Sequence, residues 1–468
     1  MICSFFRLLT IVTLVIAAPT TLVPPTEDPF YTAPKGFESA ELGTVLAYRN
    51  TPAPIRSIYF EVNIKNSWQL LVRSSDSFGN PSVVVTTVFE PFNADPSKLV
   101  SYQVAQDSAY LDCSPSYSFM NGGGLSTINN QIETVLIQTA LDQGYYVVSP
   151  DYEGLKSAFT GGIQAGHGTL DSIRGALSSS NITGVKKDAD TILWGYSGGS
   201  LASGWAAALQ PTYAPELASN LLGVALGGWV TNITATITSV SGTIFSGLGA
   251  MGMAGLSNEY TDLYGYLKTA MPADKYEEFT KAYSICAAEA LIEYNFDDWF
   301  EGEDRYFTDG FKVLNEEPTY SIIRNNTLGL IAGQMPEIPV FVYHGTLDQI
   351  VPYDQAERVY DIWCDAGIKS FEFATDLTAG HITELVQGSG AAFGWIKGMF
   401  EGTKKPVSGC RKTPRISNLL YPGTVRSVTD VVGALLDNIL GFDIGPNGEN
   451  LIVENNSVIS KANSTRSE

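Results

Sequence analysis

The chain has 468 residues and a formal net charge of −21, from 49 acidic against 28 basic side chains. That acidity excludes nucleic acid and anionic membrane as partners attracted by charge. The length fits one α/β core carrying an inserted cap.

Taken in order, the chain opens on Arg7, an apolar run from Leu8 to Ile16 and the small-residue site Val15-Ile16-Ala17. This is the pattern of a secretory signal over residues 1–17, and the run is too short to span a bilayer. No later apolar stretch is long enough for a transmembrane segment. The expectation is therefore a secreted, extracellular protein that begins near Ala18 and works as a monomer. A Pro- and Thr-rich leader over 18–36 reads as extended chain laid on the body, or as a propeptide. Core follows over 37–230. Trp68 to Val72 and Ser82 to Phe89 are β-branched runs separated by a hairpin-like break at Asp76 to Pro81. Further apolar strands are expected at Leu99 to Val104, Gly144 to Asp151, Thr191 to Tyr196, Leu221 to Leu226 and Val340 to Tyr343, with a helical spacing at Leu136 to Leu141. Apolar strands alternating with helices predict an α/β fold, a mostly parallel sheet with helices on both faces.

The strand rhythm stops over 231–334, where helical patterns run from Tyr260 to Ala270 and from Lys275 to Glu293. An insertion of that size is too long for a loop and predicts a helical lid. Within it Ile244 to Leu256 interleaves glycines with Phe245, Leu248, Met251 and Met253. Such a run reads as a buried cap helix or as the wall of an acyl-chain tunnel. Core resumes over 335–445, ending in an amphipathic helix at Val428 to Leu440, and a polar, disordered tail occupies 446–468. Cys3 leaves with the signal, so Cys113, Cys286, Cys364 and Cys410 remain to form two disulfides, whose connectivity the spacing leaves open. Acceptor sites for N-glycans stand at Asn181, Asn232, Asn325, Asn455 and Asn463.

The chain is organised around Gly195-Tyr196-Ser197-Gly198-Gly199, which follows the strand at Thr191 and precedes a helix that Pro211 should end. This is a nucleophile-elbow pattern. Small flanking residues let the backbone turn sharply and lift Ser197 off the sheet at a helix N-terminus. A serine needs a base, and the base needs a carboxylate that holds its tautomer. The chain order for such folds is Ser, Asp or Glu, then His. Only His167, His344 and His381 are available, and only His381 follows both the serine and the best acid, Asp348 in His344-Gly345-Thr346-Leu347-Asp348. Asp354, Asp365 and Asp376 are less well placed acids, and His167 and His344 read as structural. For an oxyanion hole the backbone N–H of Gly198 supplies one donor. Asp107, after the strand ending near Val104, supplies the other through its N–H or through a side chain kept protonated by burial. Gly122-Gly123-Gly124 is a decoy, because no histidine precedes it as in His-Gly-Gly-Gly esterases.

With these motifs in place the chain resembles the fungal secretory lipases of the Candida antarctica lipase A type. The likeness runs through Trp68 to Arg73, Val104 to Ser108, Ser149-Pro150-Asp151-Tyr152-Glu153-Gly154, Leu170 to Arg174, the elbow, His344 to Asp348 and Gly380-His381. It implies an α/β-hydrolase core with an inserted lid, and hydrolysis of triacylglycerols and other lipid esters at an oil–water interface. It implies Ser197 as nucleophile, Asp348 as acid, His381 as base, Asp107 and Gly198 at the oxyanion hole, and neither cofactor nor metal. It further implies pairing of Cys113 with Cys286 and of Cys364 with Cys410, and a C-terminal flap near Tyr421 to Leu440. The same fold also carries short-chain esterases, serine peptidases and non-catalytic binding modules.

Overall fold

The computed structural model describes residues 22–331 and 333–446, together with the strands Leu451–Glu454 and Ser457–Ser460. The signal at 1–17 and the acceptors Asn455 and Asn463 lie outside the described residues. The frame is a ten-stranded sheet built from β1 (Val45–Asn50), β2 (Asn66–Ser75), β3 (Pro81–Glu90), β4 (Asp95–Gln103), β5 (Tyr145–Pro150), β6 (Asp190–Tyr196), β7 (Leu221–Gly227), β8 (Val340–Gly345), β9 (Ser370–Asp376) and β10 (Gly409–Arg415). Their spatial order is β1-β2-β3-β5-β4-β6-β7-β8-β9-β10. The first three pair antiparallel with one another and with β5, and every pair from β5 to β10 is parallel.

The helices are α1 (Ile128–Asp142), α2 (Gly162–Ser178), α3 (Gly198–Tyr213), α4 (Ile233–Val240), α5 (Gly247–Glu259), α6 (Thr261–Ala270), α7 (Ala273–Phe279), α8 (Ala287–Glu293), α9 (Thr319–Asn325), α10 (Tyr353–Asp365), α11 (His381–Phe400) and α12 (Thr424–Ile439). Because successive strand residues point to opposite faces, β6 sends Leu193 to one core and Ile192 and Trp194 to the other. The first core packs α2, α3 and α10, with Leu170, Leu201 and Val359 against the sheet. The second packs α1 and α11, with Ile137 and Phe393. Burial on both faces is why the parallel strands read as continuous apolar runs. This is an α/β-hydrolase core, and α4 to α9 form a helical lid inserted between β7 and β8.

Local sequence explains the exceptions. The strand β10, Gly-Cys-Arg-Lys-Thr-Pro-Arg, escapes recognition because it is an edge strand with an exposed, polar pattern, where Pro414 is tolerated. Pro211 does not end α3 as expected. The helix runs to Tyr213 with Pro211 inside it, since one missing N–H in the last turn breaks little, and Ala214 N–H still donates to Gln210 O at 3.0 Å. The described part of the leader lies on the body: Tyr31 is buried against Leu71, Val83 and Val85, and Asp28 pairs with Arg49 at 2.6 Å.

Two disulfides join Cys113 to Cys286 and Cys364 to Cys410. The first ties the start of α8 in the lid to the chain just beyond β4. Beside it Ala287 N–H donates to Ser108 Oγ at 3.0 Å, so lid and core are held together where Asp107 stands.

Candidate active site

Ser197 stands between β6 and α3 with φ +50° and ψ −124°, a backbone conformation that side chains rarely adopt. The turn survives because its neighbours lack side chains. A Cβ on Gly195 would strike Gly199 O, and one on Gly199 would strike Gln103 O. Strain of this kind recurs where a side chain must be presented rather than packed.

His381 begins α11 beyond β9, held by Gln349 Oε1, which accepts its N–H at 3.1 Å, and by Tyr196 Oη, which donates to its carbonyl at 2.5 Å. Its Nε2 lies 2.9 Å from Ser197 Oγ and its Nδ1 2.7 Å from Asp348 Oδ2. An ionised Asp348 can only accept, so Nδ1 carries the hydrogen and Nε2 presents a lone pair to the serine hydroxyl. Asp348 sits on the loop after β8, where the N–H groups of Ile350 and Val351 donate to its Oδ1 at 3.0 and 2.7 Å. Burial opposes its charge, but His381 and His344 outweigh that and hold its pKa well below the usual carboxylate range.

His344 lies closer to this chemistry than its place in the chain suggested. It is fully buried at the end of β8, and its Nδ1 accepts Trp229 N–H at 3.1 Å. The hydrogen must therefore be on Nε2, which faces Val351 O at 3.0 Å and Asp348 Oδ2 at 3.2 Å. Asp348 thus receives a donor from each of two histidines. The four-residue spacing of His344 and Asp348 around Gly345 was the available signal. His167 is remote, stacked on Tyr213 with ring centroids 3.9 Å apart. Asp354 and Asp365 belong to α10, and Asp376 accepts from the N–H groups of Thr378 and Ala379 at 2.9 and 3.0 Å.

Opposite His381, the loop after β4 brings Asp107 over the start of α3. Its backbone is left-handed, with φ +51°, and its Oδ1 touches the place a Cβ on Gly198 would occupy. Gly198 is the first residue of α3, so its N–H has no acceptor within the helix. Asp107 is buried, its Oδ1 has no hydrogen-bond partner among the described residues, and burial pushes its pKa up to about 7. Behind it Glu133 fixes the loop, accepting from Ala105 N–H at 2.9 Å and from Tyr102 Oη at 2.7 Å, and burial raises Glu133 to about 8. Gly122 to Gly124 are elsewhere, beside Arg56 and Tyr117.

From Ser197 an apolar cavity runs under the lid, lined by Ile237, Leu248, Met253, Leu263, Val313 and Ile323 among others. Helix α5 is packed into the lid and also lines this cavity. Gly247 and Gly255 let it press on the backbones of Ala290 and Phe159, while Gly249 and Gly252 face the cavity. Among the described residues no group of three or more His, Cys, Asp or Glu could hold a metal ion, and no helix is long and apolar enough to cross a membrane.

Comparison with known proteins identifies the family. The family described as Secretory lipase matches residues 120–409. The chain is 49% identical to Lipase 1 of Candida albicans over 94% of each chain, and 50% identical to Lipase 4 of the same organism over 90% of this chain and 91% of that one. The solved structure of Candida antarctica lipase A in its closed state superposes with a TM-score of 0.78 at 30% identity, covering 89% of this chain and 95% of that one. With identity near one half across almost its whole length, this chain belongs to the secretory lipase family.

Proposed function

We propose that the protein is an exported triacylglycerol lipase that cleaves ester bonds through an acyl-enzyme. The Ser197 hydroxyl attacks the ester carbonyl carbon while His381 Nε2 takes its proton, and Asp348 stabilises the imidazolium that forms. The developing oxyanion is met by the Gly198 N–H and by the protonated carboxyl of Asp107. Collapse of the tetrahedral intermediate expels the alcohol, which takes the proton back from His381. Water, activated by the same histidine, then attacks the acyl-serine and releases the fatty acid.

The observation that carries this reading is the unbroken chain Asp348–His381–Ser197 opening directly onto a long apolar cavity. The carboxylate orients the base, the base faces the hydroxyl, and the cavity offers an acyl chain a mostly aliphatic lining. In this reading the protein acts as a monomer. The pairing of Cys113, Cys286, Cys364 and Cys410 in two disulfides supports an extracellular address. A lipid ester at an oil–water interface is the substrate, with no cofactor, no metal ion and no nucleic acid.

A short-chain carboxylesterase is the nearest competing reading, and the run of aliphatic side chains that lines the cavity from Ser197 under the lid argues against it. The rate of release from p-nitrophenyl esters of two to sixteen carbons separates the two. A rise in kcat/KM toward the longer chains is expected, and a maximum at acetate would overturn the lipase reading.

A further inference from the structure

Three stretches of chain, 345–352, 376–390 and 410–426, meet at the carboxyl end of the sheet beside His381. Leu377 N–H donates to Arg415 O at 2.9 Å, Leu347 N–H to Ala379 O at 3.1 Å, Thr378 Oγ1 to Ile416 O at 2.8 Å and Ser417 Oγ to Gln387 Oε1 at 2.7 Å. These bonds set Leu347, Leu377 and Ile416 side by side on adjacent strand ends. Ile382 and Val386 stand next to them, four residues apart on one face of α11 and directly after the histidine.

The partition of side chains here is inverted. Val386 is 71% exposed, Ile416 68% and Leu347 62%, and Leu420 extends the same surface at 66%. The acids of these stretches, Asp348, Asp376 and Glu384, are all buried. Asn418 accounts for part of this, donating its N–H to Asp376 and its side-chain amide to Glu384, each at 2.6 Å. Arg411 and Lys412 are exposed but lie back along β10, opposite Glu372 and Phe373, and Lys412 pairs with Glu357 at 2.6 Å. A surface that turns several aliphatic groups outward and its carboxylates inward is an exposed apolar patch, the kind that marks an interaction site.

We propose that this platform docks the protein on the surface of an emulsified neutral lipid ester. Its aliphatic side chains enter the outer acyl layer. The proposal rests on the lipase reading and goes beyond it, because it assigns docking to the core of the fold rather than to the lid. The composition favours a lipid over a protein partner. Protein interfaces concentrate their binding energy in Trp, Tyr and Arg, whereas the centre of this platform is Leu, Ile and Val. Its position has the same sense: Leu347 adjoins Asp348 and Ile382 adjoins His381 in the chain, so a partner seated on it lies beside the triad, which serves a partner that is also the substrate.

The test is a full-length triple variant, Val386→Glu, Ile416→Glu and Leu420→Glu, with Tyr48→Glu on β1, at the opposite edge of the sheet, as control. Three readings are taken: flotation with phosphatidylcholine-coated trioleoylglycerol droplets, fatty-acid release from those droplets, and hydrolysis of dissolved p-nitrophenyl butyrate. The triple variant is expected to lose the droplet-bound fraction and to fall at least about tenfold on the emulsion, as expected where insertion strength follows the buried apolar groups. Its rate on dissolved ester should stay within about twofold, as should all three readings of Tyr48→Glu. A triple variant that floats and hydrolyses droplets like the wild type overturns the proposal, as does a wild type that does not float. A wild type that floats without releasing fatty acid refutes the lipase reading and leaves the docking surface standing. If the charged variant loses its activity on dissolved ester, the triple Val386→Ser, Ile416→Ser and Leu420→Ser decides on the same readings.

Discussion

Substituting Asp107 by Asn probes the least usual part of the site. The carboxyl is buried against Gly198, its Oδ1 is unpartnered among the described residues, and burial raises its pKa to about 7. Below that pH it is a neutral acid with a hydrogen to donate to the oxyanion. Above it, it is an anion facing an anion. At about 4 Å and an effective dielectric near 20, two like charges repel by about 4 kcal/mol, on the order of a thousandfold in rate. The wild-type kcat should therefore fall close to tenfold per pH unit above about 7. An amide of the same shape always has a hydrogen to donate and never ionises. Asp107→Asn should keep activity within about an order of magnitude in acid and lose the alkaline limb, whereas Asp107→Ala should lose a factor of about 10² to 10³ at every pH. The assay is kcat on dissolved p-nitrophenyl butyrate between pH 5 and 9, with circular dichroism reporting that each protein stays folded. An Asp107→Asn profile that falls with the wild-type pKa would refute the reasoning and leave the backbone N–H as the only contribution of this residue.

Removing the donor that His344 gives Asp348, by His344→Leu, should lower kcat about tenfold with KM unchanged, the cost of one hydrogen bond to a charged group. His344→Gln, whose amide can reach the same carboxylate, should recover most of it. Gly252 faces the cavity with the methyl of Thr160 3.3 Å from an added Cβ. Gly252→Trp should therefore cut kcat/KM on sixteen-carbon esters far more than on four-carbon ones, as competition between the chain lengths will show. Thermal stability should peak near pH 4 to 5. Asp107, Asp151 and Glu133 have folded pKa values of about 7, 7 and 8, raised first of all by burial, so the stability they hold below the ordinary carboxylate range is lost as pH rises through those values. Asp348 acts in the opposite sense, its folded pKa being depressed, so its contribution is lost as pH falls below the ordinary range. A loss on the order of several kcal/mol between pH 4.5 and 8 is expected, and calorimetric melting temperatures that rise over that interval would contradict it.

The parts of the molecule that were legible in the sequence are those where one chemical requirement dominates. Strands buried on both faces must be apolar along their whole length, so β5, β6, β7 and β8 announced themselves, as did the glycines around Ser197, which no other residue could replace. The order of the three histidines singled out His381 because so few compete. What stayed hidden depends on neighbours that only folding supplies. The edge strands β1 and β10 have one side in water and so carry no apolar run. His344 looked structural because its distance from Asp348 is set by how the loop after β8 folds back. Asp107 was named from its place after β4, but how far burial raises its pKa depends on how the loop it sits on folds over the start of α3. Asn232 is a further case: its sequon reads as a glycan acceptor, but its Oδ1 caps α4 through the N–H groups of Thr234 and Ala235, and its amide donates to Gln355 at 2.8 Å. Asn181 and Asn325 are exposed.

The central claim is that Ser197, activated by His381, hydrolyses lipid esters. The most direct measurement is the initial rate of fatty-acid release from emulsified long-chain triacylglycerol by the wild type and by Ser197→Ala, with folding of both established beforehand. The account predicts steady release by the wild type and, for the variant, a rate lower by several orders of magnitude, because no other nucleophile stands 2.9 Å from His381 Nε2 among the described residues. A folded wild type that releases no fatty acid, or a variant that keeps the wild-type rate, would contradict it.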